Sequence, residues 1–476
     1  MIISSSSSSR RQFLGKASCA AVSSIPVLNT MLNLSLTEKL AAVTAPTNSE
    51  YRAVVCVFLA GGNDSFNMLV PREATAYAQY QNSRANLALA PAQLIDINPI
   101  GLPNYAVHGG MPEIANLFQN GNAAFIANVG TLVEPVSNRT QVAQFSKQLP
   151  LGLYSHSDQI EQWQTSVPNS RAGTGWAGRT ADLLKGTNSN QSVPMNISLD
   201  GGNVWQTGNT VAEYAITPAG AVGLSNYRAT WQSNDLITQA LSQGVDSQLT
   251  QQYSNLLMQT FSSRKKQAID SYNTFAAATS GALPGAVAFP STYIGSRLQM
   301  VAKAINGRAG TGSIRQTFFI QIGGWDHHSG VLTYQGQMLP EVSAAIGSFY
   351  SQLTTMGLQN NVTLYTASDF GRSLTSNGQG SDHAWGGNQM VVGGSVIGKK
   401  IYGSYPSLAL NPNVGAELNP LDTGSGRLIP TTSCDSFFAE LALWLGVSKT
   451  DLPLVLPNIG NFYSTSSSAA PLGFMS

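Results

Sequence analysis

The sequence predicts an α/β fold: a mostly parallel central sheet sandwiched by helices and carrying a helical insertion. Three observations predict it. From Arg52 onward, short apolar runs alternate with longer segments of helical periodicity. Several of those runs end in glycine followed by polar residues, as strands do where a chain leaves an open sheet. The chain has 476 residues, enough to bury one large core or two ordinary ones.

The elements follow in order. "AVVCVFLAGGND" reads as a buried strand over Ala53–Ala60, stopped by Gly61 and Gly62. "MPEIANLFQNGN" is a helix with Pro112 in its first turn and Gly121 as its stop. "AAFIANVG" is the next strand, and "SDQIEQWQT" opens a helix with Ser157 as its cap. Asn234 to Ala278 is Gln-rich, has apolar residues at helical spacing and shows no strand, so residues 234–290 read as a helical insertion. A helix then covers Thr292–Ile305, a strand Gln316–Ile322 and a helix Pro340–Thr355. "NVTLYTASDFGRS" and "NQMVVGG" are further strands. "SCDSFFAELALWLGV" is the last helix, capped by Ser433 and stopped at Gly446. No repeat appears at solenoid periods, and residues 46–476 read as a single domain.

Composition excludes some partners. Lys and Arg total 25 against 24 Asp and Glu, so no basic face is available for nucleic acid. Only 10% of residues are charged, against about a quarter in ordinary soluble domains. No internal run approaches the roughly 18 apolar residues of a membrane span. Cys56 and Cys434 allow one disulfide at most, and Cys56, inside an apolar run, reads as a buried thiol.

The first 45 residues are set apart. "SRRQFLGK" places Arg10 and Arg11 before Phe13 and Leu14, with a mildly apolar stretch and small residues near Ala41–Ala45 beyond. It resembles a twin-arginine export signal with Gly15 inserted before Lys16. The resemblance implies a periplasmic or secreted protein, exported already folded.

The chemistry gathers at strand ends. One strand ends in "GGND" with Asp64, another in "GGWDHH" with Asp326, His327 and His328, and a third in "SDFGRS" with Asp369 and Arg372. "SDHAWGG" with Asp382 and His383 follows. Taken singly, each motif also reads as a turn, a helix cap or a surface histidine. Together they suit a divalent cation, because imidazole and carboxylate bind zinc while carboxylates alone suit calcium, magnesium or manganese. In extended chain Asp326 and His328 share a face, whereas His327 points away. Arg372 reads either as a fork for nonbridging ester oxygens or as a structural ion-pair residue.

"LAGGNDSFNMLVP", "YSHSDQIEQWQT", "GGWDHH", "SDFGRS" and "DHAWGG" resemble, in order, the motifs of a bacterial family recorded only as a domain of unknown function. That family commonly carries twin-arginine signals and is placed in the alkaline phosphatase and sulfatase superfamily. The resemblance implies an alkaline phosphatase-like fold and a hydrolase of phosphate or related esters with one or two divalent metals, zinc foremost. It implies Asp64 and Asp369 as ligands of one ion, and Asp326, His328 and His383 as ligands of the other. Phe370 stands where the superfamily pattern has histidine, so His156 is a candidate replacement ligand. Ser155 is the implied nucleophile, with Ser157 as its rival. No Cys-x-Pro-x-Arg stretch occurs, which argues against ordinary sulfatase chemistry. The substrate expected is a small-molecule, glycan or lipid ester. The other reading is a noncatalytic metal-containing envelope protein of the same fold.

Overall fold

In the computed structural model, residues 50–224, 227, 236–412 and 416–476 are described. The export signal read in residues 1–45, and the first residues of the insertion, lie outside them. In chain order the strands are β1 (Arg52–Leu59), β2 (Leu69–Pro71), β3 (Leu94–Ile97), β4 (Tyr105–His108), β5 (Ala123–Gly130), β6 (Asn196–Ser198), β7 (Tyr214–Thr217) and β8 (Gly220–Ala221). They continue with β9 (Arg315–Ile322), β10 (Val362–Ser368), β11 (Arg372–Ser376), β12 (Ser381–His383), β13 (Gly387–Val392), β14 (Ile401–Tyr402) and β15 (Thr432–Ser433).

Ten of these strands build one sheet in the order β14-β5-β13-β10-β1-β9-β6-β7-β8, with β15 also paired to β5. At its centre β1 runs parallel to β9 and β10, and β6 runs parallel to β9. On one side the pattern departs from the expected parallel run: β13 is antiparallel to both β10 and β5. The sheet is therefore mixed, although most of its pairings are parallel.

β1 shows why the apolar runs are continuous. Ala53, Val55, Val57 and Leu59 point into one hydrophobic core, and Val54, Cys56 and Phe58 into another. Successive side chains alternate between faces, and both faces are covered, so every position must be apolar. Helices Pro112–Gln119, Tyr293–Asn306 and Val331–Thr355 contribute to the first core. Helices Trp176–Leu184 and Cys434–Leu445 contribute to the second, where Trp176 stacks on Phe438 at 4.9 Å.

Several boundaries match expectation closely. Thr292 and Ser433 cap their helices by accepting backbone N–H bonds from Gly295 and Ser436. Two differ. The helix expected from Pro340 begins at Val331, with Pro340 in its interior, where it leaves the Gly336 carbonyl four residues earlier without its helical donor. The helix expected to be capped by Ser157 begins at His156, with Ser155 in the cap position. The insertion is a pair of helices, Leu236–Thr250 and Leu256–Thr279. Among the described residues no helix is long and apolar enough to cross a membrane. Cys56 and Cys434 are both buried and unbridged, and burial pushes the Cys56 thiol up to about 12.

The last helix carries an unusual acid. Asp435 lies in its first turn, fully buried, and its Oδ1 has no hydrogen-bond partner. Burial pushes this carboxyl up to about 7, against the opposing pull of its bond with Ser166 and the Arg179 charge. A carboxyl raised on folding stabilises the native state below its unfolded value near 4, and that contribution is lost as pH rises through 7. Wild type is therefore expected to lose about 2 kcal/mol of unfolding free energy between pH 5.5 and 8.5 relative to Asp435→Asn. Urea melts of the two proteins at both pH values check this; parallel pH slopes would refute it.

Candidate metal centre

The site forms where the three central strands end. Parallel pairing sets Leu59 beside both Ile322 and Ser368, so β1, β9 and β10 release their chains along one edge. The exit from β1 is tight. Gly61 and Gly62 have φ of +122° and +86°, and a Cβ on Gly61 would stand 2.4 Å from the Asp326 nitrogen. A Cβ on Gly62 would stand 2.6 Å from the Phe370 ring. Only glycine lets these backbones approach.

Arg372 fastens the exits together. It is fully buried, and its Nε donates to Gly62 O at 2.9 Å, its Nη1 to Ser381 O at 3.1 Å and its Nη2 to Gly61 O at 2.6 Å. Nη2 also pairs with Asp326 Oδ1. Its donors are thus directed to two carbonyls of the β1 exit, to the first residue of β12 and to a carboxylate rather than to an open cleft, the arrangement of a structural arginine.

Asp369, at the end of β10, is buried and accepts from Gly61 N at 2.9 Å through Oδ1. Its Oδ2 lies 2.7 Å from His156 Nδ1. Burial raises the Asp369 carboxyl, while the Gly61 and His156 hydrogen bonds oppose that rise. Phe370 sets its ring against two imidazoles, 4.8 Å from His156 and 4.6 Å from His383, which are themselves 4.4 Å apart.

Three imidazoles are held in the same way. His156 is held at Nδ1 by Asp369, and His328 at Nδ1 by Asp382 Oδ1, 3.2 Å away. His383 Nδ1 lies 2.8 Å from Tyr154 O, which can only accept, so that nitrogen carries the proton. In the neutral form of each ring, with its proton on Nδ1, Nε2 is a lone pair, and all three rings turn Nε2 toward Asp326. His328 Nε2 and His383 Nε2 are 3.1 and 3.3 Å from Asp326 Oδ1 and 2.9 Å from each other. His156 Nε2 is 3.5 Å from Asp326 Oδ2 and has no hydrogen-bond partner, although it is buried. Converging lone pairs repel one another and the carboxylate unless a positive species lies among them. His156, Asp326 and His383 each bring one ligand atom within 4.8 Å of the others, and theirs is the one such group among the described residues. This donor set fits a divalent cation, with carboxylates or a carbonyl behind each imidazole in the usual outer positions.

The electrostatics favour the ligand state. Burial, helped by the Arg372 charge, holds His383 below the ordinary imidazole range, so its lone pair is free at neutral pH. Burial would raise the Asp326 carboxyl, but the Arg372 hydrogen bond and charge and the nearby imidazoles outweigh it and hold that group low. Hydrogen bonds from Asn377 and His328 likewise outweigh burial at Asp382.

Of the residues singled out in the sequence, His156, Asp326, His328 and His383 converge, and Asp369 stands directly behind His156. His327 faces away, buried and stacked on Tyr334 at 5.4 Å. Asp64 does not join them: fully buried, it pairs with Arg84, which also donates to Ser373 O and Leu374 O. Ser155 occupies the cap position without a capping bond, its Oγ 3.1 Å from Ser157 Oγ. Sequence reading passed over Arg84, Tyr154 and Arg427. Arg427 follows "TGSG", a turn signal that gave no hint of the cleft it faces.

The chain belongs to the family described as "Protein of unknown function (DUF1501)", which matches residues 51–420. No curated protein matches it. Similar solved structures include the soluble domain of lipooligosaccharide phosphoethanolamine transferase A from Neisseria meningitidis, at 7% identity over 87% of this chain and 95% of that one, with a TM-score of 0.29. The PsFucS1 sulfatase from Pseudoalteromonas sp. is 11% identical over 80% and 69% of the two chains, with a TM-score of 0.29. A mutant of alkaline phosphatase PafA is 12% identical over 70% and 64%, with a TM-score of 0.25. At such distances the chemistry of those proteins does not transfer to this chain.

The Asp64–Arg84 pair makes a separate prediction. Arg84→Met leaves a buried carboxylate unpaired and is expected to cost about 3–5 kcal/mol. The double variant Arg84→Met with Asp64→Asn should recover much of that loss. Denaturant melts measure both, and metal content should be unchanged in any variant that folds; loss of metal in the folded double variant would return Asp64 to the ligand set.

Proposed function

We propose that this member of the DUF1501 family is a hydrolase of phosphate or related esters that works with one divalent cation held by His156, Asp326 and His383, with His328 beside them. The observation that carries the reading is the common orientation of three imidazoles, each anchored at Nδ1, with Nε2 turned to one carboxylate. Imidazole and carboxylate donors suit zinc best, with manganese, calcium and magnesium as poorer fits. When bound, such an ion polarises a phosphoryl oxygen and lowers the pKa of water.

The chain's own residues have distinct parts in this reading. Asp369, Asp382 and the Tyr154 carbonyl fix the imidazole tautomers. Phe370 gives His156 and His383 an apolar wall that excludes water from one side. Ser155 is the candidate nucleophile: it stands next to His156 at the start of a ten-residue helix, and its hydroxyl is not engaged in capping. Backbone N–H groups at such a helix start favour an anion. Asp64 and Asp369 both have other partners, which supports one cation rather than two. The reading includes export by the twin-arginine route and a small-molecule, glycan or lipid ester as substrate.

The test is metal analysis joined to a substrate screen. Zinc-loaded protein is expected to hold about one ion per chain. Asp326→Ala and His383→Ala should each abolish zinc binding while circular dichroism and melting stay near wild type. Phosphomonoester, phosphodiester and sulfate ester panels should reveal turnover that both variants lose. Full zinc occupancy without turnover of any ester would favour a noncatalytic metal protein. Failure to bind zinc, manganese or calcium would sink the reading altogether.

A further inference from the structure

Beside the metal centre lies an open cleft of 350 Å³ lined by Tyr154, His328, Asp382, His383 and Arg427. Arg427 is its cation, and it is placed by construction. The buried Asp422 carboxylate accepts from Gly424 N and Gly426 N at 2.8 and 2.9 Å, which shapes the turn that leads into Arg427. Arg427 N donates to Gly424 O, and its carbonyl accepts from Thr423 N and Thr423 Oγ1. At the side chain, Nε donates to His383 O at 3.1 Å, and the guanidinium lies over the Tyr154 ring at 5.4 Å.

Nε and one face of the guanidinium are therefore committed, whereas neither terminal amino group donates a hydrogen bond to a described residue. The contrast with its neighbours is sharp. Arg372 and Arg84 are wholly buried, with their donors directed at carbonyls and a carboxylate. The acid in the cleft, Asp382, instead accepts from His328 Nδ1 and Asn377 Nδ2, both at 3.2 Å. Arg427 and Asp382 form no ion pair within 4.0 Å, although the Arg427 charge helps hold the Asp382 carboxyl low, so both terminal amino groups stay available at the cleft wall. Its anchor is the carbonyl of His383, a residue of the proposed ligand set.

We propose that Arg427, steadied by Tyr154, is an oxyanion-binding residue that holds nonbridging oxygens of a phosphate or sulfate group seated against the metal centre. This inference rests on the reading of His156, Asp326 and His383 as metal ligands, and it gives Arg427 the part that the sequence suggested for Arg372. A planar fork with two free amino groups takes two oxygens of a tetrahedral anion at once. Stacking on Tyr154 limits the rotamers Arg427 would lose on binding.

The experiment uses zinc-loaded full-length protein and titrates inorganic phosphate and sulfate, in separate arms, by calorimetry at fixed ionic strength. Arg427→Gln is expected to weaken the preferred anion about tenfold or more, with zinc content and melting temperature unchanged. Arg427→Lys should restore part of the affinity but not the wild-type value, because the fork is lost. Tyr154→Leu, which keeps the carbonyl that anchors His383, should weaken binding by a smaller factor. Tighter binding in one arm identifies phosphate or sulfate as the favoured group. Equal anion affinity in wild type and Arg427→Gln, with zinc in place, overturns the inference and leaves the metal reading standing. Zinc content that survives Asp326→Ala and His383→Ala sinks the metal reading instead, whatever the anion arms give.

Discussion

One buried guanidinium holds the working edge of this protein together. Arg372 has no exposure, and a cation in that position costs several kcal/mol unless its donors are matched. They are matched by the carbonyls of Gly61, Gly62 and Ser381 and by the Asp326 carboxylate, which come from the exits of β1 and β9 and from β12. Two acceptors fix the β1 exit and one each fixes Asp326 and Ser381, so the set fixes these segments relative to one another. Lysine could not do this, having a point charge in place of a fork. The imidazoles converge on Asp326 because Arg372 has already determined where Asp326 stands.

Much of the fold was legible because both faces of the sheet are covered. That burial makes strands read as unbroken apolar runs, and Arg52–Leu59 and Arg315–Ile322 fell within one residue of expectation. Direction is a different matter. Nothing in the periodicity of Gly387–Val392 says that it runs against its neighbours, because an apolar run reads alike in both senses. Pro340 misled by its usual meaning: proline favours first turns, and the nine helical residues before it were masked by that preference. At the site, Asp326, His328 and His383 stood out because the chain has only five histidines and 10% charged residues. Asp64 looked the same by that measure. Its partner, Arg84, sits at the end of a helix with no motif, so sequence alone could not separate a ligand from an ion pair.

Phe370 has a different meaning once its surroundings are seen. As a residue standing where the superfamily pattern has histidine, it suggested an incomplete metal shell. In the structure His156, from a separate segment, bonds to Asp369, and Phe370 packs against both His156 and His383. An imidazole from a separate segment thus meets Asp369, while position 370 provides apolar surface against two of the rings.

The pairing of β1 also has a consequence in time. The chain writes this strand early and completes it late, since its two neighbours begin at Arg315 and Val362. Contacts at the centre span comparable distances: His156 meets Asp369 across 213 residues and Gly62 meets Arg372 across 310. Such loops carry a closure entropy that must be met before any native contact is gained, so folding is expected to be slow and to finish as a unit. A nascent chain on the ribosome holds β1 without either central partner until most of the sequence has emerged. Until then its apolar residues need shelter from other chains. The candidate site cannot form in a partial product that lacks His383, because it draws its side chains from His156, Asp326 and His383.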